Sequence, residues 1–153
     1  MIDELYSARI LKLAANLPFA GRLPAPEGTG ERVAKLCGSR AVVDVTLDAI
    51  GRVETFAQDV KACALGQAAA GVLGEAAIGA SAAEIAQARD AMLAMLKSGD
   101  AGPTGRFEGL RALRQVADYP ARHASTMVAT EATLEAVAQA EATTTRTRLA
   151  GAA

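Results

Sequence analysis

The sequence predicts an α+β fold: a three-stranded antiparallel meander packed against a bundle of about five helices. Three observations lead there. Residues 33–60 carry short alternating apolar stretches separated by turn signals, whereas the chain before and after them has helical spacing. Strand patterns cluster together and helix patterns cluster together, which separates the fold from alternating α/β types. Hydrophobic residues make up 51% of the 153 residues but aromatics only 3%, so the core must be built from Ala, Val, Leu, Ile and Met. Small side chains pack by close backbone approach, and that favours helices on a sheet.

Element by element, Ile2, Leu5, Tyr6, Ile10, Leu13 and Leu17 follow a helical period. Asp3 and Glu4 would fall in its first turn, where the helix dipole favours them. Pro18 ends the pattern, and Pro18, Gly21, Pro24, Pro26, Gly28 and Gly30 make residues 18–30 a loop. A first strand is expected over Val33–Cys37, with Gly38 and Ser39 as the turn. A second runs from Ala41 to Leu47, with Val43, Val45 and Leu47 on one face and Asp44 and Thr46 on the other. Gly51 marks the next turn, and Val53–Val60 is the third strand.

Helices follow from Ala62 onward. Cys63–Ala77 is rich in Ala and Gly. Ser81 with Glu84 three residues on is a capping box, heading a helix with Ile85, Met92, Leu93 and Leu96 on its stripe. Phe107, Leu110, Leu113 and Val116 mark another helix, which Tyr119-Pro120 breaks. Met127, Val128, Leu134 and Val137 mark the last. One domain over residues 1–142 is expected, with 143–153 a frayed or flexible tail.

The formal charge of −1 supplies no basic field for nucleic acid. No apolar run is long enough for a membrane span. The acidic start, Met1-Ile2-Asp3-Glu4, does not have the form of a secretory signal. The expected location is therefore the cytoplasm, with Cys37 and Cys63 as reduced thiols.

Strands one and three of a meander run in the same direction, so their C-terminal ends lie at the same end of the sheet. Cys37 and Cys63 follow those two ends and can approach one site. Cys63 also begins a helix, whose positive end favours thiolate, the form that binds metal or attacks sulfur. The alternative is that both cysteines are small packing residues. No Ser-His-Asp set, phosphate loop or dinucleotide fingerprint accompanies them, so no enzymatic turnover of a small molecule is expected.

Several segments resemble the IscU/NifU-type iron–sulfur cluster scaffold family. Leu5-Tyr6-Ser7 with the following Pro/Gly loop is similar to the family's opening. Leu36-Cys37-Gly38-Ser39 resembles its first ligand segment, normally Cys-Gly-Asp. Ala62-Cys63-Ala64-Leu65 resembles the second, normally Gly-Cys-Ala-Ile. Tyr119-Pro120-Ala121-Arg122 with Ala124-Ser125-Thr126 resembles the segment that carries the third cysteine. The long interval between Cys63 and Ser125 and the Tyr-Pro-Ala-Arg stretch are closer to the SufU-like branch. The Leu-Pro-Pro-Val-Lys motif that IscU presents to its chaperone is absent.

The resemblance implies an IscU/NifU/SufE-like fold and a site of three cysteines and one aspartate that holds an iron–sulfur cluster, iron or, in the SufU branch, zinc. It also implies a cysteine desulfurase and other iron–sulfur assembly proteins as partners. Cys37 and Cys63 match the first two cysteines. Ser39 stands where the aspartate is expected and Ser125 where the third cysteine is expected. A serine hydroxyl is a poor ligand near neutral pH, and the two replacements remove two negative charges from a cation site. His123, the only histidine, is a candidate additional ligand, and a second chain in a homodimer could supply further thiolates. Ser39 also reads as turn chemistry, Ser125 as a cap or surface hydroxyl, and His123 as a solvated residue at a helix start. Three roles stay open: metal or cluster binding through Cys37 and Cys63, persulfide acceptance on one of them, and an adaptor that kept the fold without the site.

Overall fold

The computed structural model describes residues 6–152. The part of the first expected helix that includes Ile2, Asp3 and Glu4 lies outside the described residues. Helix α1 runs from Ala8 to Ala15 and begins at Ser7, whose hydroxyl accepts the Ile10 N–H at 3.3 Å.

The sheet consists of β1 (Gly28–Ala34), β2 (Ser39–Leu47) and β3 (Val53–Lys61), in the order β1-β2-β3 with both pairs antiparallel. The expected meander is therefore present. Its first strand is shifted: Gly28 and Gly30 belong to β1, not to the preceding loop, and residues 35–38 form the turn. The cause is close packing. A Cβ at Gly28 would sit 2.0 Å from Ala136 O, and one at Gly30 would sit 2.0 Å from Ala132 O. These glycines let the last helix lie directly on the strand.

One sheet face meets the helices through Ala41, Val43 and Val45 and their β3 partners Val60, Gln58 and Phe56. Gln58 is fully buried, and its Nε2 donates to Pro18 O and Ala70 O, both at 3.0 Å. On the other face, the Asp44 side chain is wholly inaccessible. It accepts bonds from Arg22 Nε at 2.6 Å, Thr29 Oγ1 at 2.6 Å and Leu23 N at 3.0 Å, which fix the Pro/Gly loop over the sheet.

Helix α2 spans Ala64–Ala77 and α3 spans Ala82–Ser98. The capping box at α3 is complete: Ser81 Oγ accepts Glu84 N–H, and Glu84 Oε1 accepts Ser81 N–H. The next segment, Gly105–Asp118, is a 3₁₀ helix. Its buried residues Phe107, Leu110, Leu113 and Val116 recur every third position, which is the period at which a 3₁₀ helix eclipses its side chains. A short 3₁₀ turn, Pro120–Arg122, leads into α4, His123–Ala152. The helical backbone continues through residues 143–152, where composition suggests a frayed tail. No Pro or Gly interrupts the chain between Pro120 and Gly151.

The core is mostly aliphatic, with Phe56 and Phe107 its buried aromatic members. Phe107, Leu65, Leu73, Ile85, Met92 and Leu110 are its largest fully buried members, and the Ala-rich faces of α2 and α4 fill the rest. No helix among the described residues is long and apolar enough to cross a membrane.

Candidate functional site

The meander places its β1–β2 turn and the end of β3 at the same edge. Cys37 sits in the turn, exposed, and Cys63 caps α2 immediately after β3, half-buried. Both line one open pocket of about 590 Å³ together with Ser39, Lys61, Gln67 and Arg122. The topological expectation for the two thiols is met.

Ser39 and Ser125 join the thiols into one polar cluster. Cys37 Sγ lies 3.1 Å from Ser39 Oγ, and Cys63 Sγ lies 3.6 Å from Ser125 Oγ. Both serines are nearly inaccessible, at 3% and 1%, so neither is a surface hydroxyl. Ser125 Oγ also lies 3.1 Å from Arg122 O, to which its proton can go. When it does, the Cys63 S–H donates to Ser125 Oγ. Close helix packing brings Ser125 there: a Cβ on Gly66 would fall 2.7 Å from Ser125 O. The glycine at that point of α2 lets α4 approach within reach of Cys63.

The Cys37 thiol is held below its ordinary range. The Ser39 hydroxyl is the main cause and the Ser39 backbone N–H the second. Burial offsets part of this, and the Ser125 hydroxyl and the Arg122 charge add to it. The lining carries two cations, Lys61 and Arg122, and no carboxylate among the described residues.

His123 is not brought to this pocket. Its Nε2 lies 2.9 Å from Val116 O and 3.3 Å from Ala117 O. A carbonyl only accepts, so Nε2 is the protonated nitrogen and is committed to the end of the 3₁₀ segment. Among the described residues, no three His, Cys, Asp or Glu side chains gather in a group that could hold a metal ion. One chain therefore offers two thiolates where a closed zinc or cluster site uses four ligands. Sequence reasoning did not place Arg122 and Gln67 at the site. Arg122 lies three residues before Ser125 on the same helical approach, which is the signal that could have found it.

No family model matches the chain, and no curated protein matches it. Solved structures do. The N-terminal structure of a nitrogen-fixing NifU-like protein from Brucella abortus superposes with a TM-score of 0.88 at 42% identity, covering 92% of this chain and 97% of that one. The chain belongs to the NifU-like family. A proposed iron–sulfur cluster assembly scaffold protein for the SUF system of Fervidobacterium islandicum AW-1 shares the fold, with a TM-score of 0.78 at 19% identity over 87% of this chain and 96% of that one. Within this NifU-like fold, the pocket is where Cys37 and Cys63 meet Ser39 and Ser125.

Proposed function

We propose that this chain is a scaffold-like protein of iron–sulfur cluster assembly, holding iron, an iron–sulfur cluster or zinc through Cys37 and Cys63. The observation that carries the reading is the convergence of both thiols on one open pocket at the sheet edge, in a chain of the NifU-like family. The cluster or metal is cargo. With two thiolates per chain, the remaining ligands come from a second copy or from an assembly partner. Anaerobic reconstitution with iron and sulfide tests the proposal. Thiolate-to-iron absorption that disappears in Cys37→Ser and in Cys63→Ser supports it. A colourless protein that also binds no zinc removes it.

A second reading has its own observation. Cys37 is exposed and receives the Ser39 hydroxyl bond, and the lining around it is cationic. Such a thiol suits acceptance of persulfide sulfur from a cysteine desulfurase, which needs one accessible thiolate and no closed ligand set. Incubation with a desulfurase and cysteine, followed by mass spectrometry, distinguishes it: one added sulfur on Cys37 supports this reading, and an unmodified chain counts against it.

A further inference from the structure

The two free thiols of the described chain share more than a pocket. Cys63 Sγ lies 3.6 Å from the Ser125 hydroxyl, and the same hydroxyl bears on Cys37. Cys37 stands on a turn whose next residue, Gly38, has φ +74° and open space around it. Cys63 is fixed at the head of α2, itself packed between α1 and α4: a Cβ on Gly71 would sit 2.7 Å from Leu13 O, and one on Gly66 would sit 2.7 Å from Ser125 O. One sulfur is thus on an accessible turn and the other on a rigid base.

We propose that Cys63 resolves a persulfide formed on Cys37, releasing hydrosulfide and leaving a Cys37–Cys63 disulfide. The chain would then reduce sulfane sulfur to sulfide with its own two thiols. This inference rests on Cys37 accepting sulfur, the second reading above.

The electrons balance without a metal. In the first step the Cys37 thiolate attacks the outer sulfur of a donor persulfide. The new bond joins Cys37 Sγ to the sulfane sulfur, and the donor's own sulfur leaves as a thiolate. In the second step the Cys63 thiolate attacks Cys37 Sγ, the inner sulfur. The Cys37–sulfane bond breaks and its electron pair leaves with the outer sulfur as HS⁻. One sulfane sulfur gains two electrons, and two thiols become one disulfide. A dithiol reductant, as a separate substrate, returns the disulfide to two thiols.

Three features fit this chemistry. The attacked sulfur is the one on the turn that has room to move. The leaving group is an anion, and Lys61 and Arg122 both line the pocket in which it forms. No third thiol or histidine competes as the resolving group: the chain has two cysteines, the hydroxyl of Ser125 is what lies beside Cys63, and His123 Nε2 is held by backbone carbonyls.

The test uses the full chain, fully reduced, loaded anaerobically with glutathione persulfide and then freed of small molecules. Sulfide is assayed over time, and the protein is followed by intact mass and peptide mapping. The wild type is expected to release about one sulfide per chain, with the protein ending two hydrogens lighter and a mapped Cys37–Cys63 peptide. Cys63→Ser is expected to keep one extra sulfur on Cys37 and to release sulfide at least roughly tenfold more slowly. Serine is a favoured helix-start residue, so this variant keeps the local fold. If Cys63→Ser retains the persulfide but the wild type retains it equally, with no disulfide, the resolving role is overturned while sulfur acceptance stands. If neither protein gains a sulfur, both fail. If both release sulfide at the same rate, Cys63 has no part in the step and the proposal is overturned.

Discussion

Cys63 at the head of α2 and Ser125 in the first turn of α4 meet with Sγ and Oγ 3.6 Å apart. The positions belong to different helices, 62 residues apart in sequence, and Gly66 is what allows those helices to touch. Replacing Ser125 by cysteine would therefore put a third sulfur beside Cys63 without moving the backbone, and Ser39→Asp would add a carboxylate beside Cys37. The double variant Ser39→Asp/Ser125→Cys should bind zinc at least roughly a hundredfold more tightly than the wild type, since two anionic ligands join two thiolates. Competition against a chromophoric chelator measures this. Equal affinities would mean that the pocket does not converge on an ion.

The Ser39 hydroxyl and N–H hold Cys37 in favour of thiolate. Its alkylation by iodoacetamide should therefore stay fast below the usual thiol midpoint of about 8.5 and fall only as pH drops through the lowered value. Ser39→Ala keeps the N–H and loses the hydroxyl, so the midpoint should move upward but not reach that of a free thiol. Peptide-resolved labelling rates across pH, with Cys63 followed as the internal reference, give both curves. Coincident curves for wild type and Ser39→Ala would show that the hydroxyl has no hold on the sulfur.

Alanine in place of a strand glycine ordinarily gains backbone entropy. Gly30→Ala should do the reverse, because its Cβ would lie 2.0 Å from Ala132 O and 2.7 Å from Ala136 N. Both are helix backbone, which cannot step aside as a side chain tip does. Strand and α4 must separate, at a cost of about 1–3 kcal/mol or more. Gly51→Ala, at φ +86° with open space around it, should cost less and act only through strain in the turn. Urea unfolding of the two variants compares them, and a stabilised Gly30→Ala would refute the packing account.

The meander was legible because residues 43–47 alternate between apolar and polar and Gly38 and Gly51 flank β2. The capping box at Ser81 and Glu84 was legible because its two residues are local. The start of β1 was not: Gly28 and Gly30 look like loop residues until a helix more than 100 residues later lies on them. The 3₁₀ segment was readable in principle, since Phe107, Leu110, Leu113 and Val116 are spaced by three throughout, while α-helical stripes mix threes and fours. At the site, topology delivered Cys37 and Cys63 together. The partners of the two serines depend on helix α4 crossing α2, which no local pattern encodes, and His123 is claimed by carbonyls only because the 3₁₀ segment ends beside it.

Asp44 shows how the same logic extends to acid stability. Burial works to raise its pKa, but the bonds from Arg22, Thr29 and the Leu23 N–H outweigh that, and the carboxyl is held below the usual carboxylate range. A group whose folded pKa is depressed contributes stability that is fully present above the unfolded value of about 3.9 and is lost as pH falls through the folded value. The wild type should thus lose stability on acidification in part through this one residue. Asp44→Asn keeps the shape but removes the Arg22 ion pair and changes an acceptor into a donor facing Leu23 N–H or Thr29. It should cost about 2–3 kcal/mol near neutral pH, a fall in Tm of roughly 4–12 °C for a chain of this size. The variant should also show a shallower decline of Tm below about pH 4, because the titrating group is gone. Parallel thermal melts of the two proteins from neutral to acid measure both effects. Parallel acid slopes would place the acid sensitivity elsewhere in the chain.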